Sequence, residues 1–209
     1  MPTTNTLGPV VVLIPVKGFG QAKRRLSEAL SAEARSVLAQ RFANAVVDAA
    51  HDLPVAIVCD DPAVVRWAHS RNLVVLHEAG QGLNAAVASA VAQLHERGVT
   101  RVVIVHSDLP LARDLRWLAD EAGITLVPDH RHDGTNAMSL PLRNDVLANF
   151  EFAYGEGSFI RHERQALEIT ARFHVETRVV NDPELDHDVD VPSDLDEIMG
   201  MNEHHERTP

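Results

Sequence analysis

The feature that most constrains the fold is an alternation of short apolar segments with amphipathic ones. The segment Val10–Val16 is apolar throughout and rich in β-branched residues, and Val55–Cys59 and Arg101–His106 are similar. A short run that is apolar on both faces is typical of a buried strand in a parallel sheet. After Ser31, a predicted N-cap, apolar residues recur at three- and four-residue spacing, which puts them on one helix face. Strands alternating with helices predict right-handed βαβ units in a doubly wound sheet.

The same reasoning divides the whole chain into elements. We predict strands over 10–16, 55–59, 73–76, 101–106, 124–127, 137–142 and 174–180, and helices over 31–49, 62–70, 83–96, 113–121 and 159–172. Residues 129–136 are predicted to form a polar loop. We therefore expect one α/β domain over 1–200, with a mostly parallel central sheet and helices on both faces, and a polar, disordered tail over 201–209.

Composition excludes several classes of protein. A net charge of −11 opposes binding to nucleic acid, whose partners need a basic surface. No apolar run approaches the ~20 residues that span a bilayer. The first eight residues lack the pattern of a secretory signal, and the single cysteine, Cys59, excludes an internal disulfide. We expect a cytoplasmic protein that binds neither nucleic acid nor membrane.

The only two lysines of the chain lie close together, directly after the first predicted strand. Lys17 and Lys23 flank a glycine-containing loop, and Arg25 follows, whereas the other basic residues are all arginine. Ligands of open α/β sheets bind outside the carboxyl ends of the strands, so this position favours a phosphate site. The spacing matches neither a P-loop nor a dinucleotide fingerprint, and a solvated basic turn is the alternative.

Two further polar clusters also adjoin predicted strands or helices. Asp108 follows the strand 101–106, where a carboxylate is well placed to hold Mg²⁺, although an Asx-turn before Pro110 is an alternative. The turn Gly80–Asn84 opens the alanine-rich helix, and Asn84 is either its cap or a ligand residue.

The most acidic part of the chain is the segment Asp182–Glu197, with eight carboxylates in 16 residues. In an extended segment Asp188 and Asp190 point to the same side, because side chains alternate with period two. Two carboxylates that close repel each other unless a cation lies between them. Surface acidity is the alternative interpretation, but the flanking valines favour a strand edge over a fully solvated segment.

Two stretches have the composition of backbone-lined pockets. Asp133–Asn136, which includes Thr135, and Tyr154–Ser158, which includes Gly155, combine glycines with short polar side chains. The amides that open the helix after Ser158 could hold an anion. The twelve histidines show no metal-binding helical spacing and are interpreted as mostly surface residues.

Taken in order, these motifs resemble those of the guanylyltransferases that make the precursor of the deazaflavin coenzyme F-420. The resemblance covers about residues 10–197 and rests on the following segments: Ile14-Pro-Val-Lys17, Ala22-Lys23-x-Arg25-Leu26, Gly82-Leu-Asn84, Ser107-Asp108-Leu-Pro110, Asp133-Gly-Thr135-Asn136, Gly155-x-Gly157-Ser158-Phe159 with Arg161-His162, and Asp188-Val-Asp190-x-Pro192. It implies a Rossmann-like nucleotidyltransferase fold. It also implies transfer of GMP from GTP to a three-carbon phospho-acid, with release of pyrophosphate.

The resemblance implies a role for each matched residue. Asp108, Asp188 and Asp190 would hold one or two Mg²⁺ ions, and Lys17, Lys23 and Asp108 would be catalytic. Lys17, Thr135, Gly155 and Ser158 would bind the acid, and Lys23, Arg25, Gly82 and Asn84 would bind the nucleotide.

The acid itself is not fixed by the residues. The arginine-rich composition is typical of a high-GC bacterial genome and favours phosphoenolpyruvate over 2-phospho-L-lactate and 3-phospho-D-glycerate. The alternatives are a nucleotidyltransferase for a sugar phosphate or molybdenum cofactor, or a non-catalytic nucleotide-binding protein of the same fold. Assembly is open, with a homodimer as one option.

Overall fold

One seven-stranded sheet organises the computed structural model, which describes residues 7–77 and 82–195. The strands are β1 Val10–Pro15, β2 Val55–Cys59, β3 Val74–His77, β4 Arg101–Val105, β5 Ile124–Pro128, β6 Thr135–Pro141 and β7 Thr177–Val179. Their order across the sheet is β3-β2-β1-β4-β6-β5-β7. Only β6 runs antiparallel to its neighbours, β4 and β5. The predicted α/β fold with a mostly parallel sheet is confirmed.

Helices cover both faces of this sheet, as predicted. They are α1 Ala32–Ala49, α2 Pro62–Ser70, α3 Leu83–Glu96, α4 Arg116–Asp120, α5 Asn144–Leu147 and α6 Ser158–Phe173. Apolar side chains of α1, α2 and α4 share one core cluster, and those of α3, α5 and α6 share the other. Two helix starts follow directly from sequence: Ser31 caps α1, and Asp61 caps α2 ahead of Pro62.

The central position of β1 in the sheet explains why its sequence is apolar at every position. Val11 and Leu13 join the core beneath α3 and α6, whereas Val12 and Ile14 join the core beneath α1 and α2. All four side chains are fully buried. A central strand covered on both faces has no polar face, so the run Val10–Val16 carries no alternation.

The second half of the chain departs from the predicted boundaries. The helix predicted over 113–121 is limited to Arg116–Asp120, and the Asp114 carboxylate accepts the Arg116 backbone N–H in the turn that precedes it. The loop predicted over 129–136 ends two residues early: Thr135 and Asn136 are buried in β6, where their polar side chains are hydrogen-bonded. The strand predicted over 174–180 is shorter, because His174 closes α6 in a left-handed conformation.

Besides the helical residues 192–195, three short elements of the described chain were not predicted. They are α5 and two 3-10 turns, Phe19–Gln21 and Arg24–Leu26, none longer than four residues and thus too short for a periodic pattern. In the part of the chain that the structure describes, no helix has the length and apolarity to cross a membrane. Gly80, Gln81 and the tail over 201–209 lie outside the described residues.

Candidate active site

The site forms where the carboxyl ends of β1 and β4 meet. These two strands are parallel neighbours, so the loop after β1 and the loop after β4 leave the sheet at the same edge. The first loop supplies Lys23 and the second supplies Asp108. The Lys23 Nζ lies 2.5 Å from Asp108 Oδ2 and 3.5 Å from Asp190 Oδ1. The predicted convergence of cationic and carboxylate groups after the strands is therefore present, and Lys23 is an ion-paired side chain, not a solvated one.

Three carboxylates surround the position of the Lys23 ammonium. One oxygen from each of Asp108, Asp188 and Asp190 lies within 4.8 Å of the other two. Asp188 and Asp190 are separated by the fully buried Val189, which anchors the segment while the acidic side chains remain half-buried. An all-oxygen set of clustered carboxylates suits a hard cation such as Mg²⁺, so these three residues fit the predicted metal ligands.

The Asx-turn alternative for Asp108 fails on local chemistry. The residue two positions on is Pro110, which has no N–H to donate. The carboxylate of Asp108 instead accepts a hydrogen bond from Lys23, whose side chain is only 6% exposed.

The electrostatics of the cluster follow from burial and from its closest cation, Lys23. Burial opposes the charge of Asp108, but the Lys23 ammonium outweighs it and lowers the pKa of Asp108. Burial likewise opposes the charge of Lys23, but Asp108 and then Asp190 outweigh it and raise the pKa of Lys23. Burial raises the pKa of Asp188, and repulsion from Asp108 and Asp190 adds to the rise. The cluster thus has an excess of negative charge that a further cation would relieve.

A fourth aspartate shapes the acidic segment without joining the cluster. Asp194, only 4% exposed, accepts the backbone N–H groups of Asp190 and Val191 at 2.7 and 2.8 Å. Pro192 follows, and residues 192–195 are helical, so Asp194 reaches back in the manner of a capping box. Arg131 pairs with its other oxygen. Asp194 therefore holds the backbone that presents Asp190.

A cleft of about 290 Å³ opens beside the carboxylates. Lys17 is exposed on its wall, and Arg25, with a side chain 74% exposed, lies 3.5 Å from Asp190. The lining residues are mainly the loop after β1 together with the start of the loop after β4: Val16, Lys17, Phe19, Gln21, Ala22, Lys23, Arg24, Arg25, Ala39, Ser107, Asp108 and Asp190. Basic side chains above a carboxylate cluster are suited to a polyphosphate that is bound together with a cation.

A second polar group forms at the start of β6. β6 is antiparallel to β4, so its first residues lie at the edge where β4 ends, and the His106 N–H donates to Asn136 O. The Thr135 N–H donates to Ser158 Oγ at 3.1 Å, and Thr135 Oγ1 lies 3.0 Å from His162 Nδ1. The predicted pocket stretches 133–136 and 154–158 are thus joined directly.

The glycines of this second group are required by the backbone. Gly155 has φ +121° and Gly157 has φ +66°, conformations that side chains with a Cβ rarely adopt. The Gly157 N–H donates to Asp133 Oδ1, and the Phe159 N–H donates to Asp133 O. Two backbone N–H groups at the start of α6 are therefore already hydrogen-bonded to Asp133. Fewer N–H groups remain there to bind an external anion than the sequence predicts.

The predicted nucleotide residues Gly82 and Asn84 lie at the start of α3. Gly82 is the N-cap, with φ +84°, and Asn84 does not cap the helix. The Asn84 amide instead faces Tyr154: Oδ1 accepts the Tyr154 N–H at 2.7 Å and Nδ2 donates to Tyr154 O at 3.3 Å. The capping alternative for Asn84 is therefore wrong.

The structure brings the predicted residues together in two groups. Lys17, Lys23, Arg25, Asp108, Asp188 and Asp190 gather at the cleft, and Thr135, Gly155 and Ser158 gather at the start of α6, which Asn84 contacts through Tyr154. Within the described ranges no hydrogen bond or ion pair links one group directly to the other.

Sequence analysis missed two residues of these groups. Asp194 had a usable signal, since an acidic residue three positions after a helix N-cap with proline at N1 is a capping-box pattern. His162 lies in a segment that carries the family resemblance, but it was given no role and the histidines were interpreted as mostly surface residues, whereas its side chain is fully buried.

Comparison with known proteins agrees with this geometry. A solved structure of 4-diphosphocytidyl-2C-methyl-D-erythritol synthase from Anaerococcus prevotii superposes with a TM-score of 0.60 at 12% identity, covering 97% of each chain. At this identity the similarity shows the fold, and the class of protein follows from the comparison of sequences. The family model described as "Guanylyl transferase CofC like" matches residues 10–208, and the chain belongs to this guanylyltransferase family.

Relatives of this chain fall under two different enzyme names. Phosphoenolpyruvate guanylyltransferase of Sphaerobacter thermophilus is 32% identical over 199 residues, 91% of this chain and 92% of its own. The 2-phospho-L-lactate guanylyltransferase of Methanocaldococcus sp. FS406-22 is 28% identical over 194 residues, 90% of this chain and 80% of its own. Both similarities extend over most of the chain, so the family assignment does not depend on a single motif.

Proposed function

We propose that this enzyme transfers GMP from GTP to the phosphate of a three-carbon phospho-acid, with phosphoenolpyruvate as the favoured acceptor. A phosphate oxygen of the acid forms a bond to the α-phosphorus of GTP. The bond from that phosphorus to the bridging oxygen of the β-phosphate breaks, and pyrophosphate leaves with the electron pair. The product is a diphosphate that joins guanosine to the acid.

The observation that carries this proposal is the joint placement of Asp108, Asp188 and Asp190 beside Lys23. Both substrates are polyanions, so their approach and the developing negative charge require opposing positive charge. A direct displacement needs no protein nucleophile, and catalysis then depends on alignment and charge stabilisation. An acidic protein binds such substrates through a local cationic site, not through its overall surface.

Each cationic side chain has a part that follows from its position. Lys23, buried against Asp108, is held rigidly and faces the reacting phosphates. Arg25, exposed at the rim, reaches the triphosphate, and Lys17 on the cleft wall contacts the phosphate or carboxylate of the acid. Thr135, Gly155 and Ser158 bind the acid from the start of α6, and Gly82 with Asn84 adjoin the nucleotide.

The carboxylates supply the other part of the proposal. Asp108, Asp188 and Asp190 would hold one or two Mg²⁺ ions, which neutralise charge on phosphate oxygens when bound. Lys23 shares these carboxylates in the structure, and its ammonium offsets part of their charge between turnovers.

Phosphoenolpyruvate is the favoured acid because the relative of that name is 32% identical over nearly the whole chain. 2-Phospho-L-lactate is the second candidate, supported by the relative of that name at 28% identity. Both are three-carbon acids with a phosphate at carbon 2, so the same basic groups suit either. Because its substrates include GTP, we place the enzyme in the cytoplasm.

An assay of pyrophosphate release with a panel of substrates tests the proposal. We would combine each of four nucleoside triphosphates with phosphoenolpyruvate, 2-phospho-L-lactate or 3-phospho-D-glycerate, with and without Mg²⁺. We expect release with GTP, Mg²⁺ and phosphoenolpyruvate. Asp188→Asn should abolish turnover while the fold survives, whereas the exposed Asp120→Asn should not change it. Release with none of the acids would reject the proposal in favour of a nucleotide-binding protein.

A further inference from the structure

The least expected group near the site is an imidazole buried under the predicted acid-binding residues. The His162 side chain is fully buried between the rings of Tyr154 and Phe150, at centroid distances of 5.1 and 5.6 Å. Both ring nitrogens have partners: Nε2 lies 2.9 Å from the Ala153 backbone N, and Nδ1 lies 3.0 Å from Thr135 Oγ1.

These two contacts determine where the ring carries its proton. A backbone N–H can only donate, so Nε2 of His162 is the acceptor and is unprotonated. A neutral imidazole then has its proton on Nδ1. Burial lowers the pKa of His162 to about 4, with Arg161 and His106 adding to the shift, so the ring stays neutral near pH 7. Nδ1–H therefore donates to Thr135 Oγ1.

The direction of that hydrogen bond determines what the Thr135 hydroxyl does next. A hydroxyl has one proton and two lone pairs. Because Thr135 Oγ1 accepts from His162, its proton remains available to donate elsewhere. Ser158 Oγ is in the same situation, since it accepts from the Thr135 N–H. Both residues are buried, Thr135 at 1% and Ser158 at 2% exposure, and neither hydroxyl donates to a protein acceptor in the ranges described.

We infer that His162 is a positioning residue that orients the Thr135 hydroxyl as a hydrogen-bond donor to an anionic oxygen of the phospho-acid. Thr135 and Ser158 together form a pair of buried donors for a carboxylate or phosphate. The inference rests on the proposed function for the identity of the ligand. The direction of the His162–Thr135 hydrogen bond does not depend on it.

Two substitutions of His162 each keep one of the ring's two hydrogen bonds and remove the other. Gln reaches about as far as Nε2 and can accept the Ala153 N–H, but it leaves Thr135 without its donor. Asn reaches about as far as Nδ1 and can donate to Thr135, but it leaves the Ala153 N–H unpaired. His162→Gln should raise KM for phosphoenolpyruvate roughly tenfold, the scale of one hydrogen bond to a charged group, with KM for GTP unchanged. His162→Asn should keep KM for the acid near that of the wild type.

A double-mutant cycle tests whether the effect passes through the hydroxyl. Thr135→Val removes it, and His162→Gln in that background should raise KM for the acid no further. If His162 were merely structural, its substitution would raise KM for the acid and KM for GTP together, or His162→Gln and His162→Asn would raise KM for the acid equally. Either result would overturn the inference.

An NMR measurement on the wild-type protein keeps the inference distinct from the proposed function. A long-range ¹H–¹⁵N spectrum of the histidine side chains, assigned by the peak lost in His162→Gln, should show a neutral ring protonated at Nδ1. A ring protonated at Nε2 would overturn the inference even if the enzyme is active. Wild-type protein without turnover but with an Nδ1-protonated His162 would reject the proposed function while supporting the hydrogen-bond direction.

Discussion

The ammonium of Lys23 lies 2.5 Å from the carboxylate of Asp108, 85 residues further along the chain. The pair exists because β1 and β4 are parallel neighbours, so the loops that follow them leave the sheet side by side. Lys23 is 6% exposed, and its ammonium also lies 3.5 Å from Asp190. One lysine therefore neutralises part of a cluster that the acidic composition alone would leave strongly repulsive.

Replacing this lysine should sharply reduce turnover, in a protein that is also less stable because Asp108 loses its paired ammonium. Lys23→Met removes a charge held next to the reacting phosphates, and we expect kcat to fall by roughly 10²–10³, the scale for loss of one preorganised electrostatic group. Steady-state pyrophosphate release measures the change. Arg66→Gln, an exposed charge on α2, is the matched control and should retain activity. A Lys23→Met enzyme within threefold of the wild type would contradict the role given to this residue.

Asp194 should be important for both stability and metal use. Asp194→Ala leaves the N–H groups of Asp190 and Val191 without their acceptor, and an unpaired buried donor costs about 1–3 kcal/mol. We expect a lower urea midpoint and a higher Mg²⁺ concentration for half-maximal activity, because Asp190 loses its fixed backbone. Asp182→Ala is a control within the same acidic segment. An unchanged Mg²⁺ requirement would show that Asp194 stabilises the fold only.

Asn84 links two segments that the family resemblance assigns to different substrates. Asn84→Ala removes both hydrogen bonds to the Tyr154 backbone and so frees the loop that carries Gly155. We expect KM to rise for the acid as well as for GTP, measured by varying each substrate in turn. Gln93→Ala, further along α3, is the control. A rise in KM for GTP alone would instead indicate that Asn84 contacts only the nucleotide.

The buried imidazole of His162 predicts an acid-sensitive component of stability. Its pKa in the folded protein, about 4, is below the ordinary value of 6.5, so between these values the unfolded chain binds the extra proton. Stability from this group is complete above pH 6.5 and is lost as the pH falls to 4, by at most about 3 kcal/mol. Urea unfolding from pH 4 to 7 measures this slope, which His162→Gln should flatten. Equal slopes in both proteins would count against a neutral buried ring.

Much of the fold was predictable because burial leaves a direct mark on sequence. β1 and β2 are covered on both faces, and their uninterrupted apolar runs, together with the predicted cap Ser31, gave correct elements. The start of β6 was not predictable in this way. Thr135 and Asn136 are polar yet buried, because their side chains find partners in His162 and Leu185 that only the folded chain brings near.

The site was predictable in its members but not in its contacts. Lys23 and Asp108 could each be assigned to a strand end, but their pairing depends on the order of strands in the sheet. Asn84 looked equally suited to capping a helix and to binding a ligand, and only the position of Tyr154 shows which backbone its amide contacts. His162 lies in a segment that carries the family resemblance, but its contacts could not be predicted, since they are made with two residues 9 and 27 positions away.

The backbone of Lys23 has φ +55° and ψ +38°, a left-handed conformation that costs a residue with a Cβ roughly 1–2 kcal/mol. Glycine would adopt this conformation without that strain, but it would leave the Asp108 carboxylate without its paired ammonium, and removing one partner of a largely buried ion pair costs more than this strain. The ion pair with Asp108 therefore holds Lys23 in a conformation that its backbone alone disfavours. A design rule that replaces every left-handed residue by glycine would therefore destabilise this protein at position 23, and any thermostabilising library should keep lysine there.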